Sequence, residues 1–235
     1  MKTVLHKAES RGSFDYGWLK TNYSFSFSSW QNPEKVHFGV LRVLNDDTIA
    51  AGMGFGTHSH DNMEIITIPT SGQLEHKDSM GNHGIISKGE VQVMSAGSGI
   101  QHSEYNNSKE FPVSLFQIWL FSNKKNVAPR YDQRSFDFDS LKNEFCTIVS
   151  PMGENTGLNI HQDAWFSLGK LDKDFSYNYN LKNKNNGVYL FLIEGNITLN
   201  KLLLKRRDAV EITEFESLEI ISNSNSELLL LEIPM

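Results

Sequence analysis

Short runs of β-branched and aromatic residues recur along the whole chain, and turn-forming residues separate them. The runs cover residues 36–43, 64–68, 91–94, 113–121, 188–193, 217–221 and 228–233. Asn, Asp, Gly and Ser cluster between the runs, as at residues 45–47, 79–82 and 222–225. Short strands with regular turns are typical of a β-sandwich or a β-barrel. The sequence therefore predicts an all-β fold with few short helices.

The strand pattern occurs twice. In the first copy, residues 65–72 form an apolar strand that ends at a glycine turn, and residues 88–93 form a charged turn followed by a strand. Residues 189–195 and 207–212 repeat this order. Two copies of one barrel unit would account for a chain of 235 residues. The pattern predicts two tandem antiparallel β-barrel, or jelly-roll, domains.

The segment at residues 123–141 differs from the rest because it contains Pro129 and many charged residues. We interpret it as the linker between the two halves, with one or two helical turns at residues 139–145. The predicted domains are therefore residues 1–130 and residues 131–235.

Charge and cysteine content exclude several classes of function. The net charge is −6, and the only dense basic cluster is the short run 205–207, so no direct nucleic-acid binding is expected. Cys146 is the single cysteine, which rules out an intramolecular disulfide and argues against zinc fingers and iron–sulfur clusters. No signal peptide or membrane helix is apparent. We expect a cytoplasmic protein, most simply a monomer, with an inert Cys146.

Two pairs of ligand-type residues are the most informative motifs. His58-Ser59-His60 places two imidazoles at positions i and i+2, which point to the same face of a strand. His102-Ser103-Glu104 repeats this spacing with an imidazole and a carboxylate. If the strand continued beyond His60, Glu64 would share the same face and would be a rival carboxylate. Paired strands in one barrel could bring both pairs to one ion.

Three neutral imidazoles and one carboxylate suit a divalent transition metal, with iron first and Mn, Ni, Cu or Zn as alternatives. Four protein ligands on a six-coordinate ion leave two positions for substrate or dioxygen. An open position distinguishes a catalytic metal from a structural one. The motifs predict one metal centre and no organic cofactor.

The motifs resemble those of the cupin superfamily and, within it, of the pirin family. Residues 52–64 follow the first cupin motif, and residues 89–106 resemble the second, although Ser95 replaces its usual proline. The stretch 96–104 is the most specific to pirins, and the branch that it resembles is that of the bacterial YhhW-type quercetin 2,3-dioxygenases. The resemblance implies a bicupin whose metal ligands are His58, His60, His102 and Glu104, and it implies that Glu64 is not a ligand.

The two halves of the chain also differ in their metal-binding residues. The second half lacks a histidine pair, and His161 stands alone in it, so we expect a C-terminal cupin domain without metal. We expect Glu64 to hydrogen-bond near the histidines, and we expect His76, between the two motifs, to lie at the rim of the site or just behind the ligands. His83 is expected to be exposed, and Trp119 to belong to the core.

Three functions remain open from the sequence. The first is a metal-dependent enzyme that opens the heterocyclic ring of flavonols such as quercetin with O2, in which Glu104 takes the proton of the flavonol hydroxyl. The second is a non-enzymatic regulator that uses the same centre to sense metal or redox state and binds a protein partner. A cupin acting on another small oxygenated molecule is a third possibility, because a fold does not fix a function.

Overall fold

The computed structural model describes residues 1–235 and is built almost entirely of strands. One three-residue 3₁₀ helix, Ala8–Ser10, interrupts them. The all-β prediction is therefore confirmed. None of the helical structure is long and apolar enough to cross a membrane.

The strands follow one another closely along the chain. The first twelve are β1 (Lys2–His6), β2 (Gly12–Asp15), β3 (Leu19–Tyr23), β4 (Leu41–Ile49), β5 (Gly54–His60), β6 (Met63–Ser71), β7 (Gln73–Asp78), β8 (His83–Ser87), β9 (Glu90–Ser95), β10 (Ile100–Asn106), β11 (Val113–Phe121) and β12 (Arg130–Ser135). The remaining ten are β13 (Glu144–Pro151), β14 (Leu158–Ile160), β15 (Trp165–Leu171), β16 (Ser176–Asn180), β17 (Asn186–Glu194), β18 (Asn196–Leu199), β19 (Leu202–Lys205), β20 (Ala209–Thr213), β21 (Ser217–Ser222) and β22 (Ser226–Pro234).

The chain divides into two compact units. The N-terminal unit comprises residues 12–136 and 158–162, and the C-terminal unit comprises residues 1–11, 137–157 and 163–235. The N-terminal unit has a large sheet in the order β12-β9-β6-β11-β4-β3-β2 and a small sheet in the order β5-β10-β7-β8. Apolar side chains from both sheets, together with Trp18 from the turn before β3, pack into one cluster in this unit: Leu19, Ile49, Leu74, Val113, Leu115, Trp18 and Phe55.

The C-terminal unit repeats this architecture. Its large sheet has the order β1-β20-β17-β22-β15-β13, and its small sheet has the order β16-β21-β18-β19. Strands β6 and β9 pair in the first unit as β17 and β20 pair in the second, which confirms the predicted repeat. The core between the sheets of the C-terminal unit is apolar, with buried Val188, Leu190, Ile197, Leu218 and Leu230 among its members.

The predicted linker contains regular structure. Residues 130–135 form β12, which pairs with β9 along the edge of the N-terminal sheet, where a strand tolerates polar residues on its solvent side. The helical turns predicted at residues 139–145 are wrong. Asn143 has a φ of 58°, which a right-handed helix cannot contain, and β13 begins at Glu144. The predicted domain boundary between residues 130 and 131 stays a prediction. In the structure, β12 pairs with β9 and β1 pairs with β20.

Candidate metal centre

The pairing of β5 with β10 brings the two predicted motifs together. His58 lies opposite His102, and His60 lies opposite Ile100 in the strand register. The ring centroids are 4.8 Å apart for His58 and His60, 4.4 Å for His58 and His102, and 5.0 Å for His60 and His102. One possible ligand atom from each ring lies within 4.8 Å of the other two. The three predicted histidines therefore form one cluster.

A β-bulge in β5 sets the orientation of His58. The register shifts so that His102 faces His58 but Glu104 faces Phe55, which leaves one extra residue on β5. The carbonyl oxygen of Gly56, inside the bulge, lies 2.8 Å from Nδ1 of His58. Because a carbonyl oxygen can only accept, Nδ1 carries the hydrogen and Nε2 keeps a free lone pair. Bulges commonly re-aim side chains at functional sites in this way.

Burial keeps the imidazoles of His60 and His102 neutral. Desolvation lowers the pKa of His60 to about 4 and that of His102 to about 3, and the neighbouring histidines add repulsion. Nε2 of His60 and both ring nitrogens of His102 are buried without a hydrogen-bond partner. Buried polar atoms normally have partners. Neutral imidazoles with unused nitrogens are ligands for divalent transition metals, so this donor set fits such an ion.

The fourth predicted ligand, Glu104, is buried and lies next to His102. The side chain is 3% exposed, and its Oε2 accepts a hydrogen bond of 2.8 Å from Nε2 of Gln117. Its carboxylate belongs to a second group, with His76 and His102, whose ligand atoms lie within 4.8 Å of one another. His102 is common to both groups. The four predicted ligands thus meet as three clustered histidines and a carboxylate that adjoins them at His102.

His76 also belongs to the group around Glu104, and the sequence left two positions open for it. It lies opposite Glu104 in the pairing of β10 with β7 and is fully buried. Its Nε2 is 3.4 Å from Oδ2 of Asp78, its ring stacks on Tyr131 at 4.8 Å, and its Nδ1 has no partner. His76 therefore lies behind the histidine cluster, not at its rim. His83 is exposed, as expected.

Glu64 does not share the face of the histidines. Strand β5 ends at His60, Asn62 has a φ of 48°, and β6 begins at Met63, so the alternation does not carry through. Glu64 accepts a hydrogen bond of 2.7 Å from Oγ of Ser95, and burial raises the pKa of Glu64. Thr67, three residues along the same strand, faces Glu104, so Glu64 points the other way. The prediction that Glu64 lies beside the histidines is wrong.

An apolar wall flanks His60. Trp119 was expected in the core, but it is only partly buried, and its ring meets that of His60 edge-on at 4.8 Å. It packs on a buried cluster of Ile65, Met94, Ala96 and Ile100. A hydrophobic surface that carries an aromatic ring therefore borders the imidazole cluster at His60.

Comparison with known proteins places this chain in a family. The Pirin family model matches residues 4–120, and the model of the quercetinase C-terminal cupin domain matches residues 147–233. A protein of Escherichia coli K12 named quercetin 2,3-dioxygenase is 39% identical, over 98% of both chains. A pirin-like protein of Caulobacter vibrioides is 36% identical over 94% of this chain and 95% of its own.

Solved structures with similar folds support the same assignment to a family. The E. coli pirin YhhW in complex with nickel(II) superposes with a TM-score of 0.93 at 37% identity, covering 99% of each chain. A quercetin 2,3-dioxygenase from Acinetobacter baumannii has a TM-score of 0.79 at 18% identity, over 98% of this chain and 85% of its own, and shows the shared fold alone. The fold and site define a two-domain cupin with a histidine centre in its N-terminal barrel. The chain belongs to the pirin family, in the branch that is similar to YhhW.

Proposed function

We propose that this protein is a metal-dependent dioxygenase that opens the heterocyclic ring of flavonols such as quercetin with O2. The observation that carries the proposal is the cluster of His58, His60 and His102, half-buried except for the fully enclosed His102, beside the apolar surface around Trp119. The similarity to the E. coli protein named quercetin 2,3-dioxygenase supports this choice of reaction.

His58, His60 and His102 would hold the ion, and Glu104 would be its fourth protein ligand. Iron is our first choice, although a set of three nitrogens and one oxygen accepts several divalent ions. A bound ion would act as a Lewis acid that lowers the pKa of the flavonol hydroxyl and orients the substrate. The C-terminal domain would hold no metal.

The protein's own groups supply the remaining steps. Glu104 would accept the hydroxyl proton on Oε1, because Gln117 holds the other carboxylate oxygen, Oε2, by a hydrogen bond. Trp119 and the apolar wall would bind the aromatic rings and keep water away from the reacting carbon atoms. Both atoms of O2 enter the ring-opened ester, and one ring carbon with its oxygen leaves as carbon monoxide.

The test compares flavonol consumption with and without oxygen. Protein loaded with Fe, Mn, Ni or Cu is mixed with quercetin, and loss of its visible absorbance and release of carbon monoxide are followed. We expect turnover only in the presence of O2, its loss in His102→Ala, and its retention in the exposed control His83→Ala. Absence of oxygen-dependent turnover with every metal, in protein shown to bind that metal, would refute the proposal and favour the sensing regulator.

A further inference from the structure

A row of polar side chains crosses the large sheet of the N-terminal unit at the level of Glu104. The strand register aligns Gln92, Thr67, Gln117 and Asn45 on the adjacent strands β9, β6, β11 and β4. Residues directly opposite one another in antiparallel strands point to the same face. All four therefore face the interior, and all are buried. The middle two, Thr67 and Gln117, are the ones that reach Glu104.

The number of hydrogen-bond donors determines how Thr67, Gln117 and Glu104 connect. The hydroxyl of Thr67 has one hydrogen and two acceptors within reach, Oε1 of Gln117 at 3.0 Å and Oε1 of Glu104 at 3.4 Å. The shorter contact is the better hydrogen bond. By donating to Oε1 of Gln117, Thr67 fixes which way the amide points, so that its Nε2 faces Glu104 at 2.8 Å. Thr67 thus acts on Glu104 through Gln117.

All three side chains are buried, so the loss of one hydrogen bond would change the position of Glu104. Thr67 is 0% exposed, Gln117 8% and Glu104 3%. Water has little access to replace a lost donor, and a buried carboxylate that loses its hydrogen bond moves or is destabilised. The position of Glu104 relative to His102 therefore depends on Gln117, whose side-chain hydrogen bonds join it to Thr67 and Glu104.

We propose that Gln117, oriented by Thr67, is a positioning residue that holds the carboxylate of Glu104 beside His102. The hydrogen bond presets one position of Glu104 for metal binding. It also keeps the carboxylate directed at the reacting hydroxyl, a part that rests on the proposed function. Partners that orient a metal ligand in this way typically change metal affinity by about 10- to 100-fold when removed.

The first test removes the donor and keeps the shape. Gln117→Met is expected to weaken Ni(II) or Co(II) binding, measured by competition with a chelator, by about 10- to 100-fold. It should alter the visible spectrum of the Co(II) protein and lower kcat for a flavonol more than it raises KM. Gln92→Met is the matched control. Gln92 lies in the same row and is 1% exposed, and its side-chain amide makes no hydrogen bond. The variant Gln92→Met should leave the metal affinity and the visible spectrum of the Co(II) protein unchanged.

The second test asks whether Thr67 acts through Gln117. Thr67→Val should weaken metal binding in the wild-type background and have no further effect in Gln117→Met, because the path is then already broken. Thr67→Ser, which keeps the hydroxyl, should restore the affinity. Equal losses in both backgrounds would show a direct action on Glu104 and overturn the relay.

The outcomes separate the two proposals. Gln117→Met with unchanged affinity and spectrum, in protein whose circular dichroism shows a native fold, would overturn the positioning role. If Gln117→Met does not fold, the isosteric Thr67→Val and its Thr67→Ser rescue decide the question. A wild-type protein that never consumes a flavonol would refute the proposed function alone, because the metal-affinity measurements need no turnover.

Discussion

The buried carboxyl group of Asp47 makes a contribution to the pH dependence of the protein's stability that one substitution should remove. Burial raises the pKa of Asp47 from 3.8 to about 7, and the nearby Asp46 and Glu104 add to the rise, while a short hydrogen bond from Thr21 opposes it. Each pKa unit corresponds to about 1.4 kcal/mol. Three units therefore give at most about 4 kcal/mol of stability that is present below pH 4 and is lost as the pH rises through 7.

Asp47→Asn removes the ionisable group and keeps the size of the side chain. We expect the variant to match the wild type near pH 4 and to become more stable than it as the pH rises, with the difference levelling above pH 7. Unfolding by urea, followed by tryptophan fluorescence on chelator-treated protein at a series of pH values, measures this difference. Thr21→Val, which removes the opposing hydrogen bond, should move the wild-type dependence to higher pH. A difference that stays flat or shrinks between pH 4 and 8 would refute the reasoning.

Two further substitutions test the scaffold. Glu232 is fully buried and accepts hydrogen bonds from Tyr179, Asn186 and two backbone amides, so Glu232→Gln should lower the free energy of unfolding by about 3–5 kcal/mol, with exposed Glu227→Gln as the control in urea titrations. A Cβ on Gly54 would overlap the backbone carbonyl of Glu104, so Gly54→Ala should cost about 1–3 kcal/mol and weaken metal binding. A Cβ on Gly56 would meet its nearest neighbouring atom at 3.8 Å. Gly56→Ala should therefore change neither the stability in thermal melts nor the metal affinity in chelator competition.

The sequence predicted the histidine cluster because alternation along a strand is a local property. His58 and His60 share a face whatever surrounds them, and His102 needed only a paired strand. The parity argument failed for Glu64, since it assumed that the strand ran on past Asn62, where the chain turns. Which residue starts a new strand depends on tertiary pairing, which periodicity does not reveal.

Gln117 and Thr67 were missed because they come from strands distant in sequence from the motifs, whereas His76 was expected near the site without a defined position. Gln117 reaches Glu104 only after β11 has paired with β6 and the two sheets have packed. A signal was nevertheless present, because Gln117 is the one amide in the apolar run 113–121. A polar residue inside such a run is either satisfied or functional when it is buried. His76 carried no comparable pattern, since its place beside Glu104 follows from strand register alone.

The metal content of the purified protein tests the central claim most directly. Protein prepared without added metal is analysed by mass spectrometry for Fe, Mn, Ni, Cu and Zn, alongside the double variant His58→Ala/His102→Ala and the exposed control His83→Ala. We expect roughly one transition-metal ion per chain in the wild type and the control, and loss of the ion in the double variant. A double variant that folds and keeps its metal would contradict the assignment of the centre to these histidines.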